Sequence, residues 1–286
     1  MSVHHQAFFH QPTSTVTFLV WDEASKVAAI VDPALDYAPA SATISTGSAD
    51  AILRAAADRG LDIRYVLETH AHADHLSAAE HLRLKTGATV VIGSHIGQVQ
   101  SHFAALFEAD DVKPDGSAFG RLVADGDALP LGETTIRVMH TPGHTAACVT
   151  YLIGDRAYVG DTLFMPDYGT ARTDFPGGDA ASLYRSIRRI LDLPPGTRLF
   201  VGHDYLPEGR STYAWETTVA EQRARNIHVH DGVSEEAFVA LRQARDATLA
   251  PPALILPSLQ VNIRAGALPP PSDAGRVFLK LPVTTA

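Results

Sequence analysis

The segment Thr69-His70-Ala71-His72-Ala73-Asp74-His75 sets three imidazoles and a carboxylate within one short stretch of chain. Imidazole is the commonest side-chain ligand for divalent transition metals and aspartate adds a hard oxygen, so this pattern offers both ligand types together. A His-rich tract can equally be a solvated loop. Here, however, residues 63–68 (Ile-Arg-Tyr-Val-Leu-Glu) read as a buried strand, and a helical pattern runs from near Leu76 to Thr86. Loops between strand and helix are where rigid scaffolds carry binding and catalytic groups. The run is therefore expected to bind metal.

Further ligand types recur at strand ends. His144 lies in Thr141-Pro142-Gly143-His144-Thr145, after the apolar residues 135–139. Asp161 ends Ala157-Tyr158-Val159-Gly160-Asp161, and His203 follows Leu199-Phe200-Val201-Gly202. A lone histidine after a strand is ordinarily a satisfied or surface residue, and a lone aspartate there is ordinarily a turn or cap. Their combination with the 69–75 run points to one shared metal site.

The elements that must position these groups alternate. Residues 14–21 and 27–31 look like a hairpin joined by 22–26. Residues 49–59 form a helical pattern stopped by Gly60, a natural left-handed cap. The 76–86 helix ends at Gly87, strand-like 88–92 follows, and 98–107 is helical again. Such alternation argues α/β layers. Beyond Asn226 the character changes: Ser234 is placed to cap a helix over 235–250, which Pro251-Pro252 ends. The Pro269-Pro270-Pro271 region reads as a strap over the domain or an oligomer contact. The division expected is a catalytic domain over residues 1–230, with 231–286 a helix and extended tail packed on it.

At 286 residues and 45% hydrophobic content the chain can bury a full core. The N-terminal residues show no secretory pattern and no apolar run approaches the roughly 18 residues of a membrane helix, so a cytoplasmic setting without membrane association is expected. The net charge of -9 argues against nucleic acid as a partner. The single cysteine, Cys148, cannot form an internal disulfide and reads as buried. His4 and His5 read as surface residues.

The ligand pattern resembles that of the metallo-β-lactamase superfamily over about residues 10 to 230. That resemblance implies an α/β fold, the αβ/βα four-layer sandwich with a metal cleft at one edge of its sheets, here with a C-terminal helical extension. More specifically, residues 164–178 with their Arg172-Thr173-Asp174-Phe175 core, together with 202–205, 221–226 and 256–264, are similar to segments of persulfide dioxygenases and related β-lactamase-like hydrolases. The resemblance implies one Fe(II) per chain held by His70, His144 and Asp161, with open positions for dioxygen and a persulfide sulfur. His72, Asp74, His75 and His203 then support the ligands, or bind a second metal. The implied reactants are glutathione persulfide, or a related small thiol persulfide, and O2; Arg172, Tyr205 and Arg223 are the expected substrate contacts. Arg225, on the same helix as Arg223, reads as solvated. Self-association into a homo-oligomer is allowed. The alternative is a two-metal thioester hydrolase similar to glyoxalase II, using the same ligands around a bridging hydroxide. A non-catalytic metal-binding protein ranks third, since it would need no open coordination positions.

Overall fold

Residues 15–22, Thr-Val-Thr-Phe-Leu-Val-Trp-Asp, are buried at every position, which requires a sheet covered on both faces. A computed structural model, describing residues 3–284, shows how this is met. In chain order the elements are β1 (Val3–His10), β2 (Thr15–Asp22), β3 (Val27–Val31), β4 (Ala34–Ala38), β5 (Thr43–Ser45), α1 (Gly47–Ala57), β6 (Asp62–Leu67), β7 (Leu76–Ser77), α2 (Ala79–Thr86), β8 (Thr89–Gly93), α3 (Ile96–Phe107), β9 (Arg121–Val123), β10 (Ala128–Leu131), β11 (Thr134–His140), β12 (Val149–Ile153), β13 (Arg156–Gly160), α4 (Ala180–Leu191), β14 (Arg198–Val201), β15 (Glu216–Thr218), α5 (Val219–Arg225), α6 (Glu235–Asp246) and α7 (Ile255–Asn262). Among the described residues, one six-stranded sheet has the order β1-β2-β3-β6-β8-β9 and another the order β10-β11-β12-β13-β14-β15. Its parallel pairs need crossovers, which α1, α2 and α3 supply in the first sheet and α4 in the second.

Side-chain alternation along β2 divides the core. Val16, Phe18 and Val20 point between the sheets, meeting Val138, Tyr151, Tyr158 and Phe200. Leu19 and Trp21 point the other way, into a layer with Ile52 of α1, Leu82 of α2 and Phe103 of α3. The outer face of the second sheet packs Leu199 and Val201 against Leu183, Ile187 and Ile190 of α4 and Phe238 of α6. The layers thus run helix, sheet, sheet, helix, the αβ/βα sandwich expected. Each fully buried Leu, Ile or Phe contributes about 1.5–3 kcal/mol.

Several boundaries differ from the sequence pattern. The helix expected from Leu76 begins at Ala79, because Leu76 and Ser77 pair with Leu35 and Ala34. The Ser77 N–H donates to Asn262 Oδ1 at 2.8 Å and its hydroxyl to Glu68, so tertiary bonds replace a first helical turn. Helix α6 stops at Asp246, short of Ala250; the Thr248 hydroxyl takes the Arg245 carbonyl at 2.7 Å, and Arg172 takes that of Ala250 at 2.7 Å. Strand β1 is not apparent from the sequence pattern. Its His4 is exposed and stacked on Trp21, whereas His5, expected at the surface, is half-buried with its ring edge-on to Phe200 at 4.6 Å. Among the described residues no helix is long and apolar enough to cross a membrane. Helix α6 packs on α4, and α7 on β7 and α3.

Candidate metal centre

Each ligand candidate sits where a strand hands over to a loop at the same edge of the sandwich. His70 to His75 follow β6, His144 lies between β11 and β12, Asp161 follows β13, and His203 follows β14 and bridges to Thr15. Glycines make two of these approaches possible. Gly160 has φ +51° and a Cβ there would lie 2.3 Å from Thr69 Oγ1; Gly143 has φ +136° and a Cβ would lie 2.3 Å from the Leu183 backbone.

The side chains converge. Nε2 of His70 and His144 lie 3.9 and 3.8 Å from Asp161 Oδ2, and one donor atom from each of the three lies within 4.8 Å of the others. A second group, Asp74, Asp161 and His203, shares Asp161: His203 Nε2 is 3.3 Å from Asp74 Oδ2 and 3.4 Å from Asp161 Oδ1. His75 joins through Nδ1, 3.1 Å from Asp74 Oδ2. All seven residues singled out by spacing therefore meet in one place.

One nitrogen of each imidazole is held so that the other is presented. His144 Nδ1 donates to the Arg172 carbonyl at 2.8 Å, His203 Nδ1 to the Ser14 carbonyl at 3.2 Å, and His70 Nδ1 lies 3.0 Å from Thr69 Oγ1. His72 is turned over: its Nε2 lies 3.1 Å from Asp32 Oδ1 and 3.2 Å from Glu68 Oε2, leaving Nδ1 free. Asp32 also accepts from the Thr69 N–H at 2.7 Å and hydroxyl at 2.8 Å. From the far end of the chain, Asn262 donates to the His72 and His75 carbonyls at 2.7 and 2.8 Å. Asp32, Glu68 and Asn262 are residues that sequence reasoning passed over. The signal for Asp32 was its place at the end of β3, like the ligands; Asn262 carried none, its partners being 187 and 190 residues away.

The residues present fit a metal ion. His70 Nε2, His72 Nδ1, His75 Nε2, His203 Nε2 and Asp161 Oδ1 are all buried without a hydrogen-bond partner, and such converging orphan donors are what ligation would satisfy. Burial, with His72 and His144 nearby, holds the His70 pKa well below its ordinary value, and burial lowers that of His75 to about 4. Both rings are thus kept in the neutral form that ligates. At His72 burial opposes the cation, but Asp32 and Glu68 outweigh it and raise the pKa well above the ordinary value.

A cavity of about 390 Å³ opens over Asp74, His144 and Asp161, walled by Phe164, Tyr168, Phe175 and Tyr205. Of the expected substrate contacts, Arg172 and Tyr205 line it. The Arg172 guanidinium is already engaged by both oxygens of Asp174, at 2.6 Å each, and by the Ala250 carbonyl. Tyr205 stacks on His203 with ring centres 5.4 Å apart. Arg223 is not brought to this wall; it pairs at the surface with Asp231 at 2.9 Å, a competition between side chains that motif position does not disclose. Instead α6 contributes Arg242 and Arg245. Cys148 is buried just before β12, where burial pushes its thiol up to about 12, far from a nucleophile's range.

Two sheets with helices outside and a five-histidine, two-aspartate cluster at one edge define a metalloenzyme architecture. Residues 10–203 match the metallo-β-lactamase superfamily, and the chain belongs to it. A probable metallo-hydrolase of Burkholderia pseudomallei is 51% identical over 97% of this chain and 98% of its own length. The mitochondrial persulfide dioxygenase ETHE1 of Homo sapiens is 30% identical over 92% of this chain and 88% of its own. The crystal structure of ETHE1 from Myxococcus xanthus superposes with a TM-score of 0.74 at 32% identity, covering 92% of this chain and 100% of that one. The chain also spans 64% of the longer β-lactamase hydrolase-like proteins that it matches.

Proposed function

We propose that this protein is a mononuclear iron persulfide dioxygenase, holding one Fe(II) per chain through His70, His144 and Asp161. The observation that carries the reading is the open, two-histidine, one-carboxylate group at the floor of an aromatic-walled cavity. A two-histidine, one-carboxylate donor set is that of non-haem iron oxygenases, and it would leave positions for both reactants. In this reading the neighbouring Asp74, His75 and His203 hold the loop and the shared Asp161 rather than a second ion. Similarity to ETHE1 persulfide dioxygenase supports the same choice.

Bound iron would supply the redox chemistry for oxygenating the terminal sulfur of a persulfide. The chain's own residues do the rest. The Arg172 carbonyl fixes the His144 ring, Asp32 and Glu68 fix His72, and Phe164, Tyr168 and Phe175 exclude water around the reacting groups. Tyr205 offers a hydroxyl from the cavity wall to the bound substrate. The overall reaction is glutathione persulfide, dioxygen and water to glutathione and sulfite.

A two-metal thioester hydrolase is the second reading. It is favoured by Asp161 being shared between two donor groups and by the relative named as a metallo-hydrolase. Metal content of anaerobically purified protein, paired with oxygen uptake on adding glutathione persulfide, separates the two. About one iron per chain with persulfide-dependent uptake is expected; two zinc-type ions per chain without uptake would replace the dioxygenase reading with the hydrolase.

A further inference from the structure

Three arginines line the cavity, and two of them are committed. Arg172 is clamped by Asp174 and the Ala250 carbonyl. Arg242 is buried, held by Asp246 at 2.8 Å and donating to the Thr170 carbonyl at 3.0 Å. Asp246 also accepts from the Thr173 N–H and hydroxyl, at 2.9 and 3.0 Å, so its capacity is used. Arg245, one turn along α6, is exposed and among the described residues its side chain has no carboxylate partner and no hydrogen bond. It stands beside the like charge of Arg242, in the last turn of α6.

The cavity is thus polarised. Asp74 and the proposed ligands His144 and Asp161 occupy its floor, aromatic rings its wall, and α6 supplies the Arg245 guanidinium. We propose that Arg245 is the specificity-determining residue that pairs with a carboxylate on the thiol carrier, so that the site selects an anionic peptide thiol over the same thiol with its carboxylates esterified. The planar fork of a guanidinium makes paired, charge-assisted bonds to carboxylate, which an uncharged carrier cannot return. The inference rests on the proposed function only in taking this cavity as the substrate site.

The test compares glutathione with glutathione diethyl ester, titrated calorimetrically into wild type, Arg245→Gln and Arg245→Lys, alongside oxygen uptake with glutathione persulfide. Wild type is expected to bind glutathione about tenfold tighter than the diester; Arg245→Gln abolishes that preference without weakening the diester, and Arg245→Lys retains part of it. In turnover, Arg245→Gln raises KM about tenfold with kcat within about twofold. An unchanged preference in Arg245→Gln, or no preference in wild type, overturns the proposal even if oxygen uptake is normal. Conversely, Arg245-dependent binding without oxygen uptake sustains it while the dioxygenase reading falls.

Discussion

Substituting Asn262→Asp isolates how far the C-terminal segment governs the metal centre. The replacement has almost the same volume and keeps the acceptor for the Ser77 N–H, but cannot donate to the His72 and His75 carbonyls, which Asn262 now meets at 2.7 and 2.8 Å. Each buried carbonyl left unsatisfied costs about 1–3 kcal/mol, and an ionised carboxylate facing two carbonyl oxygens adds to it, so about 4 kcal/mol is expected. For a chain of this size that corresponds to a fall in Tm of about 10 °C. The same bonds hold the loop that begins at the proposed ligand His70, so metal affinity should weaken about 10-fold, the lower end of what losing a supporting partner costs. Thermal unfolding of the metal-free protein and competitive chelator titration read the two effects separately. A variant that unfolds with the wild type and binds metal within about twofold of it would refute the claim that residue 262 positions the loop. Lost stability with wild-type metal affinity would reduce Asn262 to a packing residue.

Asp161→Asn, which neutralises the carboxylate shared by both donor groups, is expected to lose metal and turnover together; full metal content with full turnover would remove Asp161 from the centre. His228 is buried, its Nδ1 accepting from the Thr170 N–H at 3.1 Å, and burial with Arg242 and Arg245 nearby lowers its pKa from 6.5 to about 4. Because the folded pKa lies below the unfolded one, its neutral form stabilises fully above the unfolded value, and as pH falls from about 6.5 to 4 the fold loses up to about 3 kcal/mol. Urea midpoints across that range should show a smaller acid loss in His228→Gln than in wild type, and parallel curves would contradict the assignment. Cys148, with its thiol raised to about 12, should stay unmodified by a thiol reagent near neutral pH until urea unfolds the chain; rapid labelling of native protein would place it elsewhere.

The sequence by itself marked the candidate ligands and determined the layers. His70, His72, Asp74, His75, His144, Asp161 and His203 could be read because each follows a strand-like segment, and their chemistry is carried by residue type within a few positions of chain. The layered fold could be read because strand-like and helical stretches alternate along the chain. Tertiary structure decided what depends on competition between distant groups. Ser77 leaves the helical pattern because Glu68 and Asn262 claim it. Asp32 and Glu68 orient His72, though only Asp32, at the end of β3, carries a local signal. Arg172 and Arg223, expected at the substrate, are engaged by Asp174 and Asp231, while Arg245, with no motif to mark it, is left unpaired at the cavity among the described residues. A side chain's type and local spacing are properties of the chain alone. Whether its charge is spent or available depends on which partners folding brings within hydrogen-bond reach, and for Asn262 those partners lie 187 and 190 residues away.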